Sequence, residues 1–231
     1  MLKKHGYAIA ATVSAVPKPT KEDLLILWNK KRGLDEQRAN AWETLGGTVL
    51  VAENGYLQQD DKTYYALSVH GHNGSGWFPV GDEDRFSKLG FKLKPRHEGA
   101  GYALVCGQRG IGSSLMASPP LWAERCAKKL EAQGVKTMLR LHPGNFAPKV
   151  PLLDDLKGAA SCHIWSSASG VRALVEGVPV KHYAPHWVCD NSTVREEQLH
   201  RMSHGQWHFE EVATGEPLAR ILAGLGEAKW G

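Results

Sequence analysis

The strongest constraint on the fold is an order of segments that the chain repeats twice: an apolar run, a helical pattern and a second apolar run. The apolar runs lie at residues 24–28, 48–52, 64–69, 102–106, 136–141, 160–165 and 178–183. The helical patterns lie at residues 34–45, 119–133 and 169–176. Strands that alternate with helices form parallel sheets covered by helices. We therefore predict an α/β fold with two consecutive Rossmann-like lobes.

A segment rich in charge, glycine and proline, residues 82–101, separates the two repeats. We expect a first lobe over residues 1–98, a second lobe over residues 99–193 and a helical tail over residues 194–231. The tail carries apolar side chains that we expect to pack back across the lobes. A chain of 231 residues that is 42% hydrophobic can bury an adequate core, which excludes disorder as a description of the whole chain.

The chain is mildly basic, with 28 Lys and Arg against 24 Asp and Glu and a formal net charge of +4. This balance favours acidic ligands but lacks the dense positive charge of a dedicated nucleic-acid-binding protein. The excess is concentrated near the start of the chain, at Lys3, Lys4, Lys18, Lys21, Lys30, Lys31 and Arg32. This basic N-terminal edge is either a solvated surface or a contact for the phosphates of DNA.

The four cysteines lie far apart and include no C-x-x-C pair, which indicates reduced thiols rather than a disulfide scaffold. The apolar stretch at residues 7–16 is too short to span a bilayer, and it lacks the clear cleavage pattern of a secretory signal. We therefore expect a cytoplasmic protein without a membrane span. The sequence does not fix its oligomeric state.

Three loops follow apolar runs of the second half, at the strand ends where parallel sheets bind ligands. Helix N-termini at this edge direct unpaired N–H groups outward, which favours anions. The candidate ligand contacts in these loops are Arg109, Gly110, Gly112, Arg140, His142, Ser166, Ser167, Ser169 and Gly170. Each loop also has a purely structural explanation, as a glycine turn, a histidine that caps a turn or a serine that caps a helix. The group of serines after Trp165 favours a diphosphate site.

Two segments of the second half, LRLHPGN at 139–145 and DDLKGAASCHIWSSASGVRALVEGVPV at 154–180, carry a resemblance to a known family. They resemble the nucleotide-sugar lobe of GT-B glycosyltransferases, and most of all that of capsule-polysaccharide and Kdo-type transferases. In the first half, VAENGYL at 51–57 and YALSVHGHNGSG at 65–76 are similar to the acceptor-side lobe of that group and to compact phage-encoded glycosyltransferases.

The resemblance implies an acceptor-side lobe at 1–98, a nucleotide-sugar lobe at 99–193 and no obligatory metal. The nucleotide sugar is then a co-substrate, and no further cofactor is expected. Residues implied to hold this donor are His142, Ser166, Ser167 and Ser169. The chain departs from the family at Arg172, where many GT-B families carry a ribose-binding glutamate. Either Glu176, one helical turn later, replaces that glutamate, or the donor is bound differently.

Glu53 is the candidate general base, because the apolar strand before it would bring its carboxylate to a cleft between the lobes. A transfer with inversion needs a base that takes the proton of the acceptor hydroxyl, and a raised pKa suits this role. His70 and His72 are the next candidates. Asn73 and Gly74 give the following loop the freedom to close over an acceptor. The structural alternative is a carboxylate that caps its own turn.

Several other functions compete with sugar transfer. Zinc ligation is one, by His182, His186, Cys189 and Asp190 or by His200, His204 and His208, although neither spacing is a known zinc pattern. A serine hydrolase built on Ser167 or Ser169 lacks the G-x-S-x-G turn. A non-catalytic module that binds a nucleotide or a partner is the main alternative. The acceptor stays open among a hydroxymethylated DNA base, a surface polysaccharide and a small molecule.

Overall fold

The computed structural model describes residues 3, 19–20, 22–58, 62–97, 101–144 and 150–227. The apolar stretch at 7–16 lies outside the described residues, and so do Lys4, Lys18 and Lys21 of the basic N-terminal edge. Among the described helices, none is both long enough and apolar enough to cross a membrane.

The described part of the chain is an α/β protein. Its strands are β1 (Leu24–Trp28), β2 (Thr48–Asn54), β3 (Tyr64–Val69), β4 (Tyr102–Cys106), β5 (Thr137–Arg140), β6 (Ala159–Ile164), β7 (Val180–His182) and β8 (Gln206–His208). Its helices are α1 (Leu34–Thr44), α2 (Arg85–Lys88), α3 (Trp122–Ala132), α4 (Leu152–Lys157), α5 (Ala168–Val175), α6 (Arg195–Gly205), α7 (Phe209–Thr214) and α8 (Glu216–Glu227). The seven predicted strands are all present, with ends within two residues of the prediction.

One sheet is parallel throughout, with the strand order β5-β4-β6-β7. Its two central strands, β4 and β6, bury nearly continuous apolar runs that include Leu104, Val105 and Ile164. Such runs are typical of parallel strands that are covered on both faces. Because all four strands point the same way, the loops after β4, β5 and β6 emerge together at the carboxyl ends of the strands.

The other sheet is mixed, with the order β1-β2-β3-β8, and this corrects the prediction of a parallel first lobe. β1 and β2 are parallel, but β3 runs antiparallel to β2 and β8 runs antiparallel to β3. The cause is the short link between β2 and β3, residues 55–63, because a parallel crossover needs a dozen or more residues. The fold therefore keeps one β-α-β unit at the start of the chain.

The C-terminal tail is not purely helical, because it contributes strand β8 to the first sheet. Trp207 of β8, together with Leu218 and Ile221 of α8, packs on Leu50 and Val69 of that sheet. Helix α6 reaches the other core, where Leu199 and Met202 join a cluster that contains residues of both sheets. The tail thus packs against both halves of the molecule.

Helix α5 packs closely on the second sheet. Ser167 caps its N-terminus, and its side chain accepts a hydrogen bond from the backbone N–H of Ser169. A Cβ at Gly170 would overlap Ile164 and Trp187, so the absence of a side chain lets the helix approach the sheet. This packing places the first residues of α5 at the edge where the strand-end loops emerge.

Candidate functional site

A cleft of about 590 Å³ lies where loops of the two sheets face one another. The wall formed by the first half of the chain includes Trp28, Asn29, Lys31, Glu53, Tyr56, His72 and Asn73. The wall formed by the second half includes Gln108, Arg109, Gly110, His142, Ser166 and Ser167. Residues predicted from both halves of the sequence therefore come together in one cavity.

Glu53 enters this cleft from the carboxyl end of β2 and is half-buried. Its Oε1 accepts hydrogen bonds from the hydroxyl of Tyr56 and the backbone N–H of Asn73, both at 2.9 Å. Burial raises the pKa of the Glu53 carboxyl to about 7, although these two hydrogen bonds oppose the shift. Within the described residues Oε2 has no hydrogen-bond partner. Glu53 is therefore a carboxyl group that can exchange a proton near neutral pH.

The two candidate histidines lie in different places. His72 is buried and lines the cleft, where burial and then the charge of Lys30 lower its pKa to about 4, so that it is neutral near pH 7. His70 does not line the cleft. Its Nδ1 lies 3.4 Å from Oε1 of Glu43, which also accepts a hydrogen bond from Lys30 at 2.8 Å. Only His72 is placed to contact a ligand in the cleft.

Asn73 connects the two walls of the cleft. Its side-chain amide donates to the backbone carbonyl of Ser166 at 2.8 Å, and its Oδ1 accepts from the backbone N–H of Val188 at 2.7 Å. Its backbone is in the left-handed region, with φ 55°, and its N–H bonds Glu53. A Cβ at Gly74 would overlap the backbone of Trp187, so that glycine permits close packing. Through these contacts both residues pack the loop against the second wall.

The opposite wall is built on the turn after β6. Gln108 organises it, because its Oε1 accepts from the backbone N–H of Ser166 at 3.1 Å and its Nε2 donates to Ser166 Oγ at 3.4 Å. Ser167 lines the cleft at the start of α5, where the helix dipole favours negative charge. Ser169 lies behind it, with the two hydroxyl oxygens 2.9 Å apart. This wall offers hydroxyl groups and a helix N-terminus to an anion.

The loops after β4 and β5 add a guanidinium group and an imidazole ring to the same wall. Arg109 and His142 both line the cleft, and the pKa of His142 is lowered by burial and by the charge of Arg109. Gly110 lines it as well, and the backbone at Gly110 and Gly112 has positive φ angles of 65° and 137°. A Cβ at Gly112 would overlap the His72 ring. These glycines let the loop approach the first wall closely.

Six of the candidate donor contacts do not line the cleft: Gly112, Arg140, Ser169, Gly170, Arg172 and Glu176. Arg140 is turned towards α4, where it pairs with Asp155 and donates to the carbonyl of Val150. Gly170 is enclosed by packing, as described above. Arg172 and Glu176 pair with each other at 3.1 Å, and Glu176 also pairs with Lys94. Arg172 and Glu176 therefore face the segment after α2, and neither reaches the cleft to replace a ribose-binding glutamate.

Two cleft residues that are not among the predicted site residues, Tyr56 and Gln108, position predicted ones. Tyr56 belongs to the VAENGYL segment, three residues after Glu53, and Gln108 belongs to the glycine-rich loop after β4. Their position within those two segments is the sequence signal that points to them. The hydrogen bonds to Glu53 and Ser166 that define their roles depend on the folded geometry.

The basic N-terminal edge is divided by the fold. Lys30 is buried and its ammonium group bonds Glu43 and the carbonyl of His70, so it is not available to DNA. Lys31 lines the cleft and Arg32 lines a neighbouring pocket, while Lys3 is exposed.

The histidine and cysteine groups do not form a metal site in the described part of the chain, where no three such ligands converge. His182 Nε2 lies 3.2 Å from Asp190, and Cys189 is a buried thiol whose pKa burial raises. His200 bonds the carbonyl of Gly81.

Comparison with known proteins gives a likeness in fold. No protein-family model matches this chain, and a search of curated proteins found no match. Among solved structures the chain is similar to KpsC of Thermosulfurimonas dismutans, described as a beta Kdo 2,7 transferase. The two share 14% sequence identity and a TM-score of 0.50, over 83% of each chain. At this identity the likeness shows a transferase-like α/β fold and nothing about activity.

Proposed function

We propose that the chain is a glycosyltransferase that moves a sugar from a nucleotide-sugar donor to a hydroxyl acceptor in the cleft between two GT-B-like lobes. One observation carries this proposal. A single carboxyl group with a pKa of about 7, that of Glu53, faces a wall of hydroxyls and positive charge across the same cavity. The name of the similar solved structure, a Kdo transferase, supports the same class of reaction. The lobes would comprise residues 1–98 and 99–193, with the tail at 194–231 completing the first.

The second wall would bind the phosphate of the donor. Ser166, Ser167 and the N-terminus of α5 donate hydrogen bonds to its oxygens, and Arg109 balances its charge. His142 lies beside Arg109 and donates a further hydrogen bond. These groups also stabilise the negative charge that grows on the phosphate oxygen as its bond to the sugar breaks.

The first wall would activate the acceptor. Glu53 takes the proton of the acceptor hydroxyl while that oxygen bonds to the anomeric carbon. The bond from the anomeric carbon to the donor phosphate breaks, and its electron pair leaves with the phosphate. Tyr56 and Asn73 hold the Glu53 carboxylate through Oε1, which leaves Oε2 to receive the proton.

Two acceptors are considered for the transferred sugar, a surface polysaccharide and a hydroxymethylated base in DNA. Lys31 and Arg32, which lie at or beside the cleft, are the cations that DNA would meet. Binding through DNA phosphates weakens steeply as salt rises, whereas binding of a neutral glycan does not.

A non-catalytic nucleotide-binding module is the second candidate. It is favoured by the pairing of Arg172 with Glu176, because Glu176 then does not replace the ribose-binding glutamate of many GT-B families. Among the described residues, Glu53 is the one that places a carboxyl group on the cleft wall. Such a module needs the second wall but has no use for a base with a pKa near neutrality.

The first test is a thermal-shift panel of UDP-, GDP-, CMP- and TDP-linked sugars, because a ligand that binds only the native state raises its melting temperature. We expect one nucleotide class to stabilise the chain and H142A to weaken that effect. A flat response from the whole panel would contradict the proposal.

The second test separates the enzyme from the binding module. E53Q preserves the volume of the side chain and an oxygen that accepts from Tyr56, but it removes the base. We expect E53Q to retain donor affinity and to lower turnover of the donor by about 10²- to 10⁴-fold. The matched control is E197Q, a change at an exposed glutamate of α6, which should leave both properties unchanged. Equal turnover in the two variants would favour the binding module.

A further inference from the structure

A second, smaller groove of about 320 Å³ lies between α3 and β7 and shares no lining residue with the cleft. Its main lining residues are Trp122, Arg125, Cys126, Lys129, Lys181 and Tyr183. The proposed transfer reaction makes no use of it.

The groove concentrates unpaired positive charge. Arg125 and Lys129 lie one turn apart on α3, which places their side chains on the same face of that helix, and Lys181 faces them from β7. Burial raises the pKa of the Cys126 thiol, while a hydrogen bond to Tyr183 and the charges of Lys181 and Lys129 oppose this shift. Both lysines therefore act on the same buried sulfur.

No carboxylate compensates this charge. No aspartate or glutamate lines the groove, and in the described part of the chain none of its three cations forms an ion pair. Some other cations of the fold do pair with a carboxylate, as Lys30 does with Glu43 and Arg140 does with Asp155. Three neighbouring cations without a carboxylate partner can bind a dianion through charge-assisted hydrogen bonds.

One side of the groove is a fixed aromatic wall. The rings of Trp122 and Tyr183 lie with their centroids 5.4 Å apart and their planes at 58°. The hydroxyl of Tyr183 is 2.9 Å from Nδ1 of His163, whose Nε2 is 3.1 Å from Ser161 Oγ. This chain of hydrogen bonds holds the Tyr183 ring in position, so the wall is formed before any ligand arrives.

We propose that this groove binds an organic phosphate that consists of a planar ring and a phosphate monoester, of the size of a nucleoside monophosphate. The ring packs against Trp122 and Tyr183, and the phosphate lies among Arg125, Lys129 and Lys181. A phosphate monoester carries a charge of about −1.5 to −2 at pH 7, which suits three cations better than a single carboxylate does. The volume lies at the lower end of the ~300–1,000 Å³ typical of small-molecule pockets, so it fits one such unit.

The test follows the indole N–H resonance of Trp122 by NMR, assigned by its absence in W122F, during titration of the full chain with AMP. Trp122 also lines a pocket that contains Arg109 and His142 of the cleft wall, so the variants described next are needed to assign the shift to the groove. We expect a saturable shift, with affinity reduced at least tenfold in K129A and in K181A. Inorganic phosphate, which lacks the ring, should bind more weakly than AMP.

Two controls make the result specific. K128A changes the neighbouring lysine of α3, which is exposed and does not line the groove, and should leave the affinity within twofold. H142A changes the cleft and should also leave it unchanged, so failure of the donor site does not affect this test. The proposal is overturned if AMP at millimolar concentration does not move the Trp122 signal, or if K128A and K181A weaken binding equally. A single-stranded oligonucleotide that binds where AMP does not would overturn it as well.

Discussion

At the scale of single residues, the chemistry of the cleft depends on the protonation of Glu53. Burial raises its pKa, and the hydroxyl of Tyr56 and the N–H of Asn73 lower it. The balance of these effects, rather than the presence of a carboxylate, makes Glu53 suitable as a base near neutral pH.

The first prediction concerns this balance. Because the base must be deprotonated, kcat/KM for sugar transfer should rise with pH through about 7. Y56F removes a donor that lowers the pKa of Glu53, so its pH profile should move to higher pH. The measurement is the pH dependence of kcat/KM in both proteins. A profile of Y56F that coincides with the original would contradict the role given to Tyr56.

The same pKa predicts a dependence of stability on pH. In the folded chain Glu53 holds its proton up to about pH 7, whereas the unfolded chain loses it near 4.5, the ordinary value. The native state therefore binds more protons between these values, and this residue makes stability fall as pH rises through that window. E53Q removes the effect. The free energy of unfolding of E53Q minus that of the original chain should therefore be larger at pH 8 than at pH 4, by roughly 2 kcal/mol. Urea denaturation at the two pH values measures this difference.

Which residues line the site was only partly predictable at this scale. Glu53 lies near the carboxyl end of β2, and His142 and Ser166 lie two residues after β5 and β6, so the ends of strands determine where these residues lie. Arg172 and Glu176 lie within a helix, where the side that faces the ligand depends on how the helix is rotated on the sheet. The buried apolar face of α5, which includes Val171 and Leu174, sets that rotation and leaves Glu176 beside Lys94.

At the scale of elements, the four-residue helix α2 carries an arginine that makes several buried polar contacts. Arg85 of α2 is buried, donates to the carbonyls of Ser203 and Gln206, and forms a bidentate pair with Glu211. Its guanidinium also lies 3.9 Å from the centroid of the Trp207 ring. A segment whose composition indicates a linker therefore anchors the tail.

This contact predicts that R85K is not a conservative change. Lysine cannot reproduce the bidentate pair or the stacking on Trp207, and buried acceptors would lose their donors. We expect R85K to lower the free energy of unfolding by about 3 kcal/mol. K88A, on the same turn but exposed, should change it by less than about 0.5 kcal/mol. Chemical denaturation of the two variants tests the prediction, and equal effects would contradict it.

The elements themselves were largely predictable, because apolar runs and caps are local signals. Strands β1 to β7 were found in this way. The direction of β3 follows from the short link that precedes it, which is also a local signal, whereas its pairing with the distant strand β8 is not. The single-turn helix α2 was also missed, because it is held by residues more than a hundred positions away.

At the scale of the whole molecule, the tail completes both cores. Trp207 is 1% exposed and packs on the first sheet, whereas Phe209, two residues later, is 54% exposed. This pair offers a matched test. W207A should cost about 3–5 kcal/mol of the free energy of unfolding, while F209A should cost less than about 1 kcal/mol. Denaturation followed by circular dichroism measures both, and similar losses would show that the tail is not part of the core.

The place of β8 has a further consequence for how the protein is made. The parallel sheet draws all its strands from residues 102–182, so a growing polypeptide can finish it while synthesis continues. The sheet that begins the chain gains its last strand only after residue 208 has left the ribosome. The sheet that is translated first therefore gains its last strand after the other sheet is complete, and until then the outer edge of β3 has no partner strand.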